Sequence, residues 1–202
     1  MNIVIFDTEY TSWEGCQKFG WHGNQKKEVV QISAVKINPK LDIIDNFCVY
    51  IQPKINPILS DYFEKLTGIT NKLIEKEGID FEKAYNKFIH FAGDCVCWSH
   101  GWGSPLENES DGEIINDNLK LLNLSPKNIK YRNIAAFFAD MYKKYNIDIK
   151  SQASGTIATL LGREDNLHNL GISQHNAIYD VLSIVEGVRY FASDSKKLFE
   201  IR

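Results

Sequence analysis

Cysteine is scarce in this chain: four residues in 202, at Cys16, Cys48, Cys95 and Cys97. Their spacing fits neither a zinc site nor a disulfide framework. Each lies in or beside an apolar run, where a free thiol acts as a small hydrophobe. Reduced thiols suit a cytosolic or nuclear compartment. Long hydrophobic runs are absent as well, with none approaching the roughly 18 residues of a membrane span. The opening stretch, Met1 to Asp7, has no basic leader and meets an acid too early for a signal peptide. The expectation is a soluble, cytoplasmic protein with no membrane partner. An excess of positive charge is also missing. Lys and Arg number 23 against 26 Asp and Glu, for a net charge of -3 and a pI near 6.0. That excludes a globally basic nucleic-acid coat, whose mark is a high pI. It leaves open a polyanionic partner met through bound metal and local patches.

What is present is ordinary globular material, 44% hydrophobic and 24% charged. At roughly 100–200 residues per domain this is one domain. Ile3 to Phe6 is continuously apolar, the mark of a strand buried on both faces. Val29 to Ile37 and Ile43 to Ile51 read as the next two strands, with a hairpin at Asn38-Pro39-Lys40. Ser60 can cap a helix over Asp61 to Leu66 that Gly68 closes. Asp80 can cap another, with Phe81, Ala84, Tyr85, Phe88 and Ile89 at helical spacing. Cys95 to Ser99 is a fourth strand and Ile129 to Tyr131 a short fifth. Ser110 or Asp111 caps a helix running to Leu122. Ala135 to Tyr145, Thr156 to Leu161 and Asn176 to Phe191 are the later helices. Three strands followed by mixed strands and helices indicate an α/β fold, a mixed sheet covered on both sides.

Two patterns carry chemistry. Asp7-x-Glu9 ends the first strand, and residues i and i+2 of a strand share a face. Two carboxylates beside an apolar core repel each other and cost free energy unless a hard divalent cation joins them. At the far end of the chain, Asp180 lies four residues into the last helix on a small, polar stripe with Asn176, Ser183 and Gly187. Another element can approach that stripe closely. His175 sits just before the helix, where a loop can aim it into a cleft.

Together, Phe6-Asp7-Thr8-Glu9 and His175-x-x-x-x-Asp180 resemble the first and third motifs of the DEDDh 3'–5' exonuclease family. Val29 to Val35 and the stretch Pro57-Ile58-Leu59-Ser60…Leu66-Thr67-Gly68-Ile69-Thr70 are most similar to its Eri-type exoribonuclease branch. The likeness covers residues 1–192, leaving 193–202 as a charged tail. It implies a ribonuclease H-like, five-stranded mixed sheet with helices on both faces. It also implies two Mg²⁺ or Mn²⁺ ions held by Asp7, Glu9, Asp111 and Asp180, with His175 as general base. The family's second motif follows the glycine after the fourth strand more closely than Asp111 follows Gly101. An insertion over residues 102–110 accounts for this, with Glu109 and Asp117 as competitors for the role.

The implied reaction releases nucleoside 5'-monophosphates from the 3' end of single-stranded nucleic acid, with RNA favoured. A DNA-directed enzyme and a non-catalytic binding module are the alternatives. Thr8, Trp13, Leu66, Thr67 and Trp102 are the candidate substrate contacts, since aromatic faces stack on bases. His100, after the fourth strand, is the one further histidine near the cleft. The loop from Trp13 to Glu28 could fold over that cleft or mediate assembly. Lys127, Lys130 and Arg132 could track a phosphate backbone.

Overall fold

The computed structural model describes residues 1–101, 110–148, 153–167 and 171–200. Its five strands are β1 (Ile3–Tyr10), β2 (Val29–Ile37), β3 (Ile43–Tyr50), β4 (Val96–Ser99) and β5 (Lys130–Asn133). They form one sheet in the order β3-β2-β1-β4-β5. β1 and β3 run antiparallel to β2, while β4 is parallel to β1 and β5 parallel to β4. The sheet is therefore mixed and five-stranded, as the sequence led one to expect.

The helices are α1 (Cys16–Phe19), α2 (Asp61–Thr67), α3 (Asn71–Glu77), α4 (Phe81–Ala92), α5 (Asp111–Leu121), α6 (Ala135–Lys144), α7 (Ile157–Leu160), α8 (Ala177–Tyr190) and α9 (Ala192–Ser195). Alternation along β1 builds a core on each face of the sheet. Ile3 and Ile5 pack with Phe138 of α6 and with Val181, Ile184 and Val188 of α8. Val4 and Phe6 pack with Phe88 of α4 and with Ile114, Ile115 and Leu119 of α5. Because β1 is the central strand and is buried on both sides, its end is held firmly where Asp7 and Glu9 sit.

Three local devices fix the walls around that end. Ser60 accepts a hydrogen bond from the Phe63 amide at 3.0 Å and caps α2, and Gly68 closes it at φ 74°. Gln31, fully buried on β2, accepts the Ala177 amide at 3.0 Å and so ties the start of α8 to the sheet. Asn133 accepts from the Gly101 and Ala135 amides, both at 2.9 Å, and joins the end of β4 to α6.

The structure differs from the sequence reading in three places. α1 falls within Trp13 to Glu28, which reads as a loop because a four-residue helix with one buried residue leaves no periodic signal. α3 was not foreseen, because Ile74 is its only buried residue and no apolar stripe announces it. The stretch from residue 193, expected as a charged tail, folds back instead. Ser195 and Leu198 are buried, and the Ser195 hydroxyl donates to the Val188 carbonyl at 2.7 Å. Its charges stay outside, with Lys144 meeting Asp194 at 2.6 Å. No helix among the described residues is long and apolar enough to cross a membrane.

Candidate active site

The alternation that divides the core also divides the carboxylates. Asp7 and Glu9 share the β1 face of Ile3 and Ile5, toward α8, while Thr8 shares the face of Val4 and Phe6, toward α5. One carboxylate oxygen from each of Asp7, Glu9 and Asp180 lies within 4.8 Å of the other two. Asp111 reaches the same cleft from the opposite face, through Thr8. The Thr8 amide and hydroxyl both donate to Asp111 Oδ1, at 2.9 and 2.6 Å. The cleft holds about 300 Å³ and is lined by these four acids together with His175, Tyr62, Leu66 and His100.

The small polar stripe on α8 is met by the turn Ser154–Thr156 and by α7. The Ser154 hydroxyl donates to Asp180 Oδ2 at 3.0 Å, and the Ala158 amide donates to the Ser183 hydroxyl at 3.0 Å. Glycine is required at position 155, where a Cβ would collide with Asp180 Oδ1. Asp111 and Asp180 are therefore held alike. A neighbouring hydroxyl fixes one oxygen of each. The other oxygen, Asp111 Oδ2 or Asp180 Oδ1, is buried with no hydrogen-bond partner among the described residues.

Such atoms are costly. A buried polar group left unpaired costs about 1–3 kcal/mol, and more when charged. The carboxyl groups respond by holding protons. Burial, followed by the charges of Asp111 and Asp180, raises Asp7 well above the ordinary carboxylate range. Burial raises Glu9 in the same way, with Asp180 and Asp111 adding to it. Burial pushes Asp111 up to about 6 despite the two Thr8 hydrogen bonds. It pushes Asp180 up to about 7 despite Ser154 and the His175 amide. A hard divalent cation would relieve both the repulsion and the unpaired oxygens. The donor set, all carboxylate oxygen, fits one.

His175 lines the cleft in a left-handed conformation, φ 64°, and is exposed to solvent. Partial burial lowers its pKa below the ordinary imidazole value, so it is neutral near pH 7 and able to accept a proton. His100 is buried, and burial lowers it to about 4. It packs against Phe138 at 5.9 Å between ring centroids and forms a neutral wall of the cleft.

The other expected residues divide. Leu66 lines the cleft, and Thr8 lines it with both polar groups committed to Asp111. Thr67 lies on a neighbouring pocket instead, its hydroxyl donating to the Phe63 carbonyl at 2.9 Å. Trp13 is off the cleft wall. Ser12 is drawn toward α2 by Ser60 and Thr11 toward Glu28, so the chain turns away before Trp13. Asp117, one competitor for the Asp111 role, is exposed and paired with Lys120 at 2.9 Å. Trp102 and the other competitor, Glu109, lie outside the described residues. Sequence reasoning missed Ser154, Gly155, Gln17 and Tyr62. The only signal for the first two was the small stripe on α8, which showed that something approaches but not what.

Residues 4–188 match the model of the RNase T family, described as an exonuclease. The chain belongs to the exonuclease family. Within that setting, this exonuclease chain is 35% identical over 88 residues to the 3'-5' exonuclease eri1 of Schizosaccharomyces pombe. It is 33% identical over 87 residues to the ERI1 exoribonuclease 2 of Xenopus laevis. Each match takes in 43% of this chain but only 28% and 12% of those proteins, so the chain spans well under half of their length. The fold is shared with the nuclease domain of 3'hExo, a DEDDh family member solved with rAMP. There the TM-score is 0.63 and the identity 23%, over 98% of this chain and 92% of that one. It is shared as well with E. coli exonuclease I bound to an oligonucleotide. In that case the TM-score is 0.65 and the identity 15%, over 98% and 42% of the two chains.

Proposed function

We propose that this exonuclease removes nucleotides from the 3' end of single-stranded nucleic acid, with RNA preferred, and releases nucleoside 5'-monophosphates. One observation carries the reading. Three buried carboxylates, two of them with an unpaired buried oxygen, meet the half-buried Glu9 in one cleft with a neutral histidine lining it. Asp7, Glu9, Asp111 and Asp180 would hold two Mg²⁺ or Mn²⁺ ions. When bound, such ions supply the positive charge that stabilises the attacking and leaving oxygens of a phosphodiester displacement.

The chain's own residues do the rest. Thr8 and Ser154 hold Asp111 and Asp180 in fixed orientation, so little reorganisation is needed as charge develops. His175 accepts the proton of the attacking water at a ring nitrogen, a task suited to a base neutral near pH 7. Its position on the solvent side of the cleft lets that proton leave to bulk water. Leu66, which lines the same cleft, offers an apolar surface for the terminal base. Residues 1–192 are the catalytic unit in this reading. The names of the Eri-type relatives support the preference for RNA, and four unpaired cysteines support work in a reducing compartment such as the cytoplasm.

The test is incubation of 5'-labelled RNA and DNA strands of equal sequence with Mn²⁺, Mg²⁺ or EDTA. A ladder shortening from the 3' end, faster on RNA and absent in EDTA, is the expected result. No cleavage of either strand with both metals would overturn the reading.

A further inference from the structure

The loop between β1 and β2 carries a feature that hydrolysis itself does not use. Phe19, at the end of α1, is 65% exposed, the most exposed aromatic among the described residues. One exposed phenylalanine is unremarkable on its own. Its setting is not. The ring lies over Gly15, where a Cβ would come within 3.2 Å of it, and the Phe19 amide donates to the Gly15 carbonyl at 2.9 Å. Buried Cys16 and the hydrogen bond from the Trp21 indole to the Thr11 carbonyl, at 3.0 Å, anchor the loop on both sides. Phe19 is thus held at its backbone while its side chain stays open to solvent.

Charge and position say what that face suits. Lys18 Nζ stands 5.1 Å from the centre of the Phe19 ring. Residues 17–27 hold three lysines, Lys18, Lys26 and Lys27, and no acid, in a chain whose net charge is -3. Two residues before Phe19, Gln17 lines the active cleft and hydrogen-bonds Tyr10. An exposed aromatic ring and three lysines therefore lie on the same short loop as a residue of the cleft wall.

We propose that this loop is a second grip on the substrate strand. A nucleobase on the 5' side of the terminal nucleotide stacks on Phe19, and its phosphate meets Lys18. This rests on the function proposed above. Base–aromatic stacking is sequence-tolerant, because every base has a π-face. The grip would favour strands long enough to span from the cleft to α1 over very short ones, whatever their sequence.

The test uses the full chain with Ca²⁺ and measures fluorescence anisotropy of a labelled single-stranded oligoadenylate of about ten nucleotides. Phe19→Ala removes a solvent-exposed ring, so the fold is not at stake. Its affinity for the long strand should fall about tenfold, as loss of one stacked base implies. Competition by 5'-AMP should be unaltered. Phe19→Trp should bind at least as tightly as the parent. Lys18→Ala should flatten the dependence of log affinity on log salt by about 0.7, the loss of one phosphate contact on a single strand. Equal affinity of Phe19→Ala and the parent for the long strand would overturn the proposal. So would equal loss for the strand and for 5'-AMP, or a change in oligomeric state with unchanged binding, which would make Phe19 a self-association contact. Failure of the parent to cleave in Mn²⁺ while it still binds through Phe19 would strike the catalytic reading and leave the grip standing.

Discussion

The scaffold of this protein and its cleft both enclose carboxylates, and they treat them in opposite ways. Beside the loop before α2, Glu28 is 3% exposed and accepts the amides of Lys54, Ile55 and Asn56 at 2.7, 2.8 and 2.6 Å. On α8, burial alone would raise Glu186. Hydrogen bonds from Arg189 and Asn166 and the charges of Arg189 and Arg163 hold it below the ordinary range instead. Folding satisfies both groups from within. In the cleft, Asp7, Glu9, Asp111 and Asp180 face one another, with no cation of the chain among the causes that shift them. The first kind of carboxylate organises the fold. The second kind detracts from stability until something of opposite charge arrives from outside.

The sharpest way to break this contrast is to neutralise one acid of the second kind. Asp7→Asn should abolish hydrolysis. In EDTA it should also raise the melting temperature by several degrees, because an amide carries no cost of burying a charge or of taking up a proton against the carboxyl's ordinary pKa. Loss of activity with a lowered melting temperature in EDTA would show that Asp7 serves the fold as Glu28 does.

Next in size is the response to pH. Asp111 and Asp180 titrate near 6 and 7 in the folded chain but near 3.9 when unfolded. Between about pH 4 and 7 the metal-free fold holds protons that the unfolded chain has released. Raising the pH through that window therefore destabilises the metal-free fold. Melting curves in EDTA should fall steadily from pH 5 to pH 8, while curves in Mn²⁺ should not. A flat profile in EDTA would remove the repulsion on which the contrast depends.

Glu28→Gln tests the other side. It replaces a carboxylate holding three amides with a group that has one acceptor fewer and should cost about 2–3 kcal/mol. In a domain of this size that lowers the melting temperature by roughly 5–10 °C. Affinity for Mn²⁺ should be unchanged. The smallest effect belongs to Ser154→Ala, which frees Asp180 Oδ2. It should weaken Mn²⁺ binding about tenfold, as loss of a hydrogen bond behind a metal ligand commonly does. Its melting temperature in EDTA should stay close to that of the parent.

The sequence made the frame of the site legible where chemistry and periodicity coincide. Asp7 and Glu9 follow an unbroken apolar strand, so their shared face could be read directly. Asp180 lies on a stripe of small residues that marks a close approach. Asp111 could be placed only through the family resemblance, since ten positions separate it from Gly101, and the structure brings it to the cleft through Thr8. That contact shows why a residue read as a substrate contact has its polar groups turned the other way. What could not be read are the partners that meet the site from afar. Ser154 lies 26 residues before Asp180 in a short turn with no pattern of its own, and Gln17 sits in the four-residue helix α1, whose place depends on tertiary anchors such as the Thr11–Glu28 backbone pair. Leu198 closes the core from a stretch whose charges suggested a tail, because three apolar residues crowded at its end leave no periodic signal.

The central claim is that the cleft is an incomplete site finished by divalent cations. Calorimetric titration of Mn²⁺ into the metal-free protein near pH 7.5 tests it most directly, with the Asp7→Asn, Asp180→Asn double variant alongside. The account predicts two ions bound per parent chain and loss of that binding in the double variant. Equal binding by both proteins, or none by the parent, would contradict it.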